Sequence, residues 1–341
     1  MPEAVYVEAL ELASIAKRPE VSAVYSYKRK LRSVVIGSQA YKLRFCTDAE
    51  LAELRSAYSK LLGPDAASAW SPSSWSSLFN EISRVPRVPW TLRRAFPQSI
   101  IGGWEEARAV GVIKEPLYHY DMVSAYYWAG TAPLPVARTA RVVHSYAGPG
   151  IYKVKLLGSR LRRLPPPLRE TGVEVWVSQE EIEQLRLEIE IVYGFVFEDW
   201  WKPSALLSEL REAAPTMYKR VLRAYWGGWA AETGPDVHYP KSGKRRTLPN
   251  PWRDTVAAHF ITSRVRARMA VEAPDAEYYY VDSVLLPRRL PEGRDVGEWR
   301  LEGCYVAGRI MGAGRYIAYS DKGKRIEKRS GVPLTVTVAA G

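Results

Sequence analysis

Two stretches of this chain decide how the rest of it is interpreted, Leu117–Tyr127 (LYHYDMVSAYY) and Glu277–Leu286 (EYYYVDSVLL). The centre of each is an apolar and aromatic run with a single acid, Asp121 or Asp282. Such runs are typical of buried strands, where an acid is costly unless it is paired or binds a metal. Each acid is therefore either a turn residue at a strand end or one of two carboxylates that share a metal site, as nucleotidyl transfer requires.

The composition indicates a globular protein with a polyanionic partner. Of the 341 residues 47% are hydrophobic and 25% are charged, as in folded domains. There are 49 Lys and Arg against 37 Asp and Glu, which gives a net charge of +12. This excess favours a nucleic acid first and a membrane surface second. The 12 Trp, 21 Tyr and 6 Phe residues supply stacking surfaces for bases.

Several classes of protein are excluded by what the sequence lacks. No apolar run reaches 18 residues, so we expect no transmembrane span, and the first 21 residues do not have the plan of a signal peptide. Cys46 and Cys304 cannot form a zinc site by themselves or a disulfide framework, so we expect a cytoplasmic protein. The pair Gly102-Gly103 does not match the glycine-rich phosphate fingerprints, which argues against P-loop and Rossmann folds.

Strands and helices are predicted in a mixed order, which indicates an α+β fold. A capping box at Thr47-Asp-Ala-Glu50 predicts the start of a helix, and Ser178-Gln-Glu-Glu181 predicts another. Helices are further predicted at Pro203–Glu212, Pro215–Tyr225 and Trp252–Ala270. Strands are predicted at Ser33–Phe45, Leu117–Val123, Val173–Val177 and Ile189–Phe197, with a β-meander at Arg141–Leu157, a hairpin at Glu277–Leu286, short strands in Gly303–Tyr319 and a loop at Ala66–Ser77.

Five short motifs follow one another in an order that resembles the family B DNA polymerases, in particular the protein-primed phage and plasmid branch. The family's D-x-x-S-L-Y-P is similar to Asp121-Met-Val-Ser-Ala-Tyr-Tyr127, and its K-x-x-x-N-S-x-Y-G to Lys219-Arg-Val-Leu-Arg-Ala-Tyr-Trp-Gly227. Its Y-x-D-T-D-S is similar to Tyr278-Tyr-Tyr-Val-Asp-Ser283, and its K-x-Y to Gly314-Arg-Tyr316. Gly102-Gly103 matches the glycine pair upstream of the first of these motifs. The likeness covers roughly residues 100–331.

The chain departs from the family's pattern at particular positions. Tyr280 replaces the first acid of Y-x-D-T-D-S, whereas Asp282 keeps the place of the second, which is the family's principal metal ligand. The lysine of K-x-Y is absent, and Ile100 stands where the family has a tyrosine before its glycine pair. In the segment similar to K-x-x-x-N-S-x-Y-G, Arg223, Ala224 and Trp226 replace the family's Asn, Ser and Tyr.

The resemblance implies an α+β polymerase right hand, with an antiparallel-sheet palm, short helical fingers, a small thumb and a small N-terminal domain. The predicted division is 1–95 for the N-terminal domain, 96–200 and 231–300 for the two parts of the palm, 201–230 for the fingers, and 301–341 for the thumb-proximal region and tail. Roughly 100 residues precede Gly102, too few for the family's 3′–5′ exonuclease domain, so we expect no proofreading.

The resemblance also implies roles for individual residues. Asp121, Asp282 and the backbone carbonyl of Met122 would hold two Mg²⁺ or Mn²⁺ ions. Tyr126 would lie under the sugar of the incoming dNTP and exclude ribonucleotides, with Ser124 also in the nucleotide site. Residues predicted to contact the triphosphate are Lys219, Arg211 and Arg223. Tyr225 and Trp226 either stack on the nascent base pair or pack within their helix.

Primer–template DNA is the implied partner. Its predicted contacts are Gly102, Gly103, Lys244, Arg245, Arg246, Arg315, Tyr316 and Lys324. Four basic clusters suit the phosphate backbone, namely Arg160–Arg169, Lys241–Arg246, the group Arg264, Arg266 and Arg268, and Lys322–Arg329.

The function that the resemblance implies is template-directed DNA polymerisation without proofreading, in replication of the phage or plasmid type. We expect a monomer that does not bind membranes, with a priming protein or other replication proteins as further partners. One alternative is a primase-polymerase that starts strands de novo. The other is a catalytically inactive relic that binds DNA as a replication scaffold, an interpretation suggested by Tyr280 and by the substitutions at Arg223, Ala224 and Trp226.

Overall fold

The computed structural model describes residues 4–7, 9–27, 30–36, 39–43, 47–62, 88–97, 102–161, 163–202, 206–231, 233–250 and 252–329. The chain forms two compact units. The first unit is Met1–Ser99, Val136–Arg138 and Lys202–Ala258, and the second is Ile100–Pro135, Thr139–Trp201 and His259–Gly341. The predicted loop Ala66–Ser77 lies outside the described residues, and the five-part division of the chain stays a prediction.

The secondary structure is mixed. In chain order the strands are β1 Ala4–Val7, β2 Val21–Tyr27, β3 Lys30–Ile36, β4 Gln39–Leu43, β5 Trp104–Ala107, β6 Gly111–Val112, β7 Leu117–Met122, β8 Leu134–Pro135, β9 Ala140–Val143, β10 Gly150–Ser159, β11 Glu174–Ser178, β12 Leu187–Phe197, β13 Trp200–Trp201, β14 Thr233–Tyr239, β15 Lys244–Pro249, β16 Tyr278–Val281, β17 Ser283–Leu286, β18 Trp299–Gly312, β19 Arg315–Ser320 and β20 Arg325–Arg329. The α-helices are α1 Ala9–Ile15, α2 Asp48–Leu62, α3 Trp90–Arg93, α4 Ala125–Thr131, α5 Gln179–Gln184, α6 Leu206–Ala213, α7 Tyr218–Ala230 and α8 Thr255–Glu272. Among the described helices, none combines the length and the apolar character that a bilayer crossing requires.

The first unit is built on a six-stranded sheet of order β1-β4-β3-β2-β14-β15. Only the β1–β4 pair in this sheet is parallel. Leu12 of α1 packs with Val21 and Val34 in a buried cluster. The predicted capping box of α2 is confirmed, because the Glu50 amide donates to Thr47 Oγ1 at 3.3 Å and the Thr47 amide donates to Glu50 Oε2 at 2.8 Å.

The second unit contains an eight-stranded sheet in which β20-β19-β18-β7-β17-β16-β5 are neighbours and β6 pairs with β18. Every pair in it is antiparallel. The strands predicted between 303 and 319 are present and β19 is short, but the prediction is wrong about the first of them, because β18 runs for 14 residues. A register shift lies beside Gly303, and a Cβ at Gly308 would lie 2.3 Å from the Ile317 carbonyl oxygen. These glycines therefore mark a bulge and a close approach of backbones, not strand ends.

The second unit also contains a four-stranded antiparallel sheet of order β11-β10-β12-β9. The predicted meander at Arg141–Leu157 is wrong in its pairing, because β12 lies between β9 and β10. Gly150 explains part of this arrangement. A Cβ there would lie 2.3 Å from the Phe195 carbonyl oxygen, so only glycine lets β12 approach β10 so closely.

Helix α8 and helix α5 are joined by buried ion pairs. Arg266 of α8 is 0% exposed and lies 2.7 Å from Glu181 of α5, and Arg264 lies 2.7 Å from Glu180. The prediction that Arg264 and Arg266 contact phosphates is therefore wrong. Each of them has a structural role, because its charge is already neutralised by a glutamate of the same unit. Ser178 caps α5 through the predicted capping box and also donates to Ser263 Oγ at 2.9 Å.

We expect Ser178→Ala to lower the free energy of unfolding by about 1–2 kcal/mol, because it removes both the helix cap and a buried hydrogen bond. Urea denaturation followed by circular dichroism measures this change. Ser145→Ala, at an exposed serine of the same unit, is the control and should stay within about 0.5 kcal/mol of wild type. Equal midpoints for the two variants would contradict the role given to the cap.

Candidate active site

The structure brings Asp121 and Asp282 to one end of neighbouring strands. Asp121 lies in β7, directly opposite Ser283 of β17. Asp282 occupies the turn between β16 and β17. The Met122 amide donates to the Asp282 carbonyl oxygen at 2.9 Å, which ties the turn to the end of β7. The two predicted carboxylates are therefore held together by the backbone of the sheet.

The charge of Asp282 influences the ionisation of Asp121. The Asp121 side chain is 33% exposed. Burial, followed by the charges of Asp282 and Glu302, raises the pKa of Asp121 to about 7. Arg300, whose Nη2 lies 3.7 Å from Asp121 Oδ2, acts in the opposite direction but does not offset this rise. An excess of negative charge at a partly buried position is the environment that a bound cation would stabilise.

Lys328 belongs to the predicted basic cluster Lys322–Arg329, but its position near the two acids was not predicted from the sequence. Its Nζ lies 4.6 Å from the ring centroid of Tyr280 and 3.4 Å from Ser283 Oγ. Burial lowers the pKa of Lys328, whereas the charges of Asp121 and Asp282 raise it. Tyr280, which stands in the place of an acid in the family's motif, thus supplies an aromatic face for this cation.

The position of Lys328 could have been predicted from the pairing of β19 with β20. It lies directly opposite Tyr316 in the β19–β20 pair, and paired residues project from the same face of a sheet. Lys324, which was predicted as a DNA contact, is exposed and precedes β20. The pairing register of an edge strand was the missing information.

Tyr126 lies near Asp282, and the chain turns sharply between β7 and the helix that carries this tyrosine. Ser124, the residue before α4, adopts a left-handed conformation with φ 51° and ψ 45°. The Tyr126 hydroxyl lies close to Gly103, since a Cβ built on that glycine would be 3.0 Å away. Burial, followed by the charge of Asp282, raises the pKa of Tyr126. The phenol is therefore neutral next to the acids.

The donor set fits a divalent metal. Mg²⁺ prefers oxygen ligands and is usually held by one or two carboxylates together with waters and substrate phosphates. Within the ranges that the structure describes, no group of three or more His, Cys, Asp or Glu side chains is arranged to hold a metal ion. Asp121 and Asp282 would therefore need the Met122 carbonyl, solvent or substrate as further ligands, and the two ions expected from the sequence stay a prediction.

The remaining predicted residues of the second unit differ in their exposure. Gly102 is exposed and Gly103 half-buried, and Arg315 and Lys324 are exposed. Tyr316 is 1% exposed, and its ring lies 5.5 Å from that of Tyr278 and 5.8 Å from that of Tyr305. Tyr316 therefore packs in the core of the second unit with these two tyrosines. Its role in DNA binding stays a prediction.

The other predicted residues belong to the first unit. Lys219 is exposed on α7, and Arg211 lies on α6 with its guanidinium 6.0 Å from the ring centroid of Tyr218. Arg223 lies within α7, but its side chain is outside the described part of the chain. The basic residues Lys244, Arg245 and Arg246 are exposed on β15, the edge strand of the sheet.

Tyr225 and Trp226 pack within the first unit. They are 1% and 6% exposed. Their ring centroids lie 4.8 Å and 4.9 Å from that of Trp229. Of the two interpretations that the sequence left open, the structure supports packing within the helix over stacking on a base pair.

The fold is similar to that of Phi29 DNA polymerase. Its complex with primer-template DNA and incoming nucleotide substrates matches with a TM-score of 0.67 at 14% identity, over 98% of this chain and 84% of that chain. The post-translocation binary complex with primer-template DNA matches with a TM-score of 0.68 at 14% identity, over 97% and 84%. No protein-family model matches the chain, and no curated protein matches it in sequence. At this identity the likeness shows the fold, a mixed α/β polymerase-like architecture with antiparallel sheets.

The raised pKa of Asp121 predicts that its charge destabilises the metal-free protein. The folded state keeps the Asp121 proton up to pH about 7, whereas the unfolded chain loses it near the ordinary value of 3.8. The free energy of unfolding therefore falls as pH rises through this interval. We expect Asp121→Asn to be more stable than wild type in EDTA, with a difference that grows from pH 5 to pH 8.

Urea denaturation at the two pH values measures this difference. Asp321→Asn is the matched control, because it removes an exposed acid of the same unit. A stability difference between Asp121→Asn and wild type that is the same at both pH values would contradict the electrostatic account.

Proposed function

We propose that this protein is a template-directed DNA polymerase that adds dNMP to a primer 3′-hydroxyl. The observation that carries the proposal is the pair Asp121 and Asp282, held together at one end of an antiparallel sheet in a chain with a polymerase-like fold. The raised pKa of Asp121 supports this proposal, since such shifts cluster where chemistry occurs.

The proposed reaction is a nucleotidyl transfer. The primer 3′-hydroxyl gives up its proton to solvent, and its oxygen forms a bond with the α-phosphorus of the dNTP. The bond between the α-phosphorus and its bridging oxygen to the β-phosphate breaks, and pyrophosphate leaves. Mg²⁺ or Mn²⁺ ions, when bound, would supply a Lewis acid for both oxygens. Asp121 and Asp282 would hold the ions in their deprotonated forms, and metal binding at a carboxylate releases its proton. Lys328 would contribute a positive charge for a phosphate on the same side of the site.

Tyr126 is proposed to select the sugar of the nucleotide. Its neutral ring lies beside Asp282, and the close approach of Gly103 limits how it can move. A ring under the sugar would leave no room for a 2′-hydroxyl. The triphosphate contacts proposed for Lys219, Arg211 and Arg223, and the role of Ser124, rest on the motif resemblance.

Primer–template DNA is the proposed partner. The structurally similar Phi29 DNA polymerase has been solved with primer-template DNA and with single-stranded DNA. In this chain the net charge of +12 suits the same kind of ligand. The exposed basic residues proposed for DNA contacts are Lys244, Arg245, Arg246, Arg315 and Lys324.

A DNA-binding protein without catalysis is the second candidate. Arg300 and Lys328 already place two cations near Asp121, and Tyr280 stands where the family's motif has an acid. These cations would partly neutralise the carboxylates without a metal. Metal-dependent primer extension separates the two candidates, and omission of the primer separates a polymerase from a primase-polymerase.

The first prediction of this proposal concerns the acids. We expect wild type to extend a primed template with dNTPs and Mg²⁺ or Mn²⁺, and Asp121→Ala and Asp282→Ala to lose roughly 10³-fold or more of this activity, because each removes a metal ligand. Extension on a sequencing gel measures the rate, and fluorescence anisotropy measures DNA affinity, which should stay within about threefold of wild type. Asp321→Ala is the control for loss of a surface acid. Turnover retained by both variants would contradict the assignment.

The second prediction concerns sugar selection. We expect wild type to prefer dNTPs, and Tyr126→Val to increase the use of rNTPs relative to dNTPs by about 10²-fold, because the ring no longer blocks the 2′-hydroxyl. Single-nucleotide incorporation with each substrate gives the ratio. Tyr127→Val, at the neighbouring position, is the control. Equal use of both sugars by wild type would show that Tyr126 is not a gate.

A further inference from the structure

Gly103 lies directly against the turn that carries Asp282. Strand β5 begins at Trp104, which pairs with Val281 at the end of β16. A Cβ at Gly103 would lie 3.0 Å from the Val281 Cα and 3.3 Å from its Cγ1. It would also lie 3.0 Å from the Tyr126 hydroxyl. A side chain at position 103 would therefore push against the turn and against Tyr126.

The turn itself is strained. Val281 has φ +62°, a left-handed conformation that β-branched residues rarely adopt. Such a conformation persists only where its surroundings hold it. Asp282 is the next residue, and its amide donates to the Tyr280 carbonyl oxygen at 2.8 Å. The position of the Asp282 carboxylate therefore depends on a backbone conformation that the turn would not adopt by itself.

A buried arginine holds the glycine pair from the other side. Arg266 Nη1 donates to the Gly102 carbonyl oxygen at 2.6 Å, and Arg266 is 0% exposed. Its Nε and Nη2 donate to Glu181 Oε1 at 3.1 and 2.7 Å. The planar guanidinium makes these contacts in different directions at once, which a lysine ammonium on a flexible stem cannot reproduce.

Glu181 is itself fixed on all sides. Its Oε2 accepts from the Ser178 amide at 3.2 Å and lies 3.2 Å from His259 Nε2. Burial alone would raise the pKa of Glu181, but Arg266 and His259 lower it below its ordinary value. The carboxylate is therefore ionised wherever the protein is folded near neutral pH, and it holds Arg266 in one orientation.

We propose that Glu181, Arg266 and Gly102-Gly103 form a clamp that positions Asp282 for metal binding, which rests on the proposed function. Glu181 orients Arg266, Arg266 holds the Gly102 carbonyl, and Gly103 lies against Val281 so that the turn keeps its strained conformation. Arg266 is a positioning residue in this arrangement, since it acts through the glycine pair. The glycine pair thus has a structural role in the DNA-free protein, in addition to the DNA contact predicted for it.

Mn²⁺ binding to the DNA-free protein tests the clamp without requiring activity. Electron paramagnetic resonance of free Mn²⁺ gives the affinity, and Asp282→Asn identifies the site-dependent part of it. We expect Gly103→Ala and Arg266→Lys to raise the Kd for Mn²⁺ about tenfold or more, as loss of residues that orient metal ligands does. The added Val281→Gly should restore much of the affinity of Gly103→Ala, because glycine adopts φ +62° without strain and removes the Cγ1 contact.

Two controls separate positioning from a general loss of structure. Arg264→Lys changes another buried, ion-paired arginine of α8, and Gly158→Ala changes a strand glycine whose Cβ would meet its nearest neighbour at 3.5 Å. Both should keep the Kd within about twofold of wild type. If Arg266→Lys does not fold, Gly103→Ala with and without Val281→Gly decides the question.

Wild-type Mn²⁺ affinity in both Gly103→Ala and Arg266→Lys would overturn the clamp, and so would a wild type that binds no Mn²⁺ through Asp282. Failure of the proposed function has a different signature. A wild type that binds Mn²⁺ through Asp282 but extends no primer would remove the polymerase assignment and leave the clamp in place.

Discussion

The structure of the candidate site depends on one electrostatic constraint, the proximity of two carboxylates at a partly buried end of a sheet. Asp121 and Asp282 are brought together by backbone hydrogen bonds between β7 and the β16–β17 turn. Burial and mutual repulsion raise the pKa of Asp121 to about 7. A site of this kind is unfavourable in the free protein and favourable once a cation binds, which is why functional sites often reduce stability.

The basic residues of the described chain include two classes, which differ in burial and in ion pairing. Arg264 and Arg266 are buried and paired with glutamates, so they stabilise the second unit and its glycine pair. Others are exposed and available to an anionic ligand, among them Arg315, Lys324 and Lys244. Lys328 lies between the two classes, because it is largely shielded yet faces the acids. The net charge of +12 alone does not distinguish these roles.

Much of the fold could be predicted because its signals are local. The capping boxes at Thr47 and Ser178, the long helix α8 and the hairpin of β16 and β17 follow from residue spacing within a few positions. Strand pairing was less predictable, since β12 inserts between β9 and β10 only through glycines whose partners are distant in sequence. The carboxylates were found from their motifs. Lys328 and the contact from Arg266 to Gly102 were not, because both depend on tertiary register.

The central claim is that Asp121 and Asp282 bind a divalent cation together. A crystal structure of the protein with Mn²⁺ and a nucleoside triphosphate, recorded with anomalous scattering, tests this claim most directly. The account predicts an anomalous peak between the two carboxylates, within about 2.0–2.4 Å of an oxygen of each. The account would be contradicted by a peak elsewhere, with Arg300 or Lys328 in contact with the carboxylates. It would also be contradicted if a nucleotide-bound crystal showed no anomalous peak.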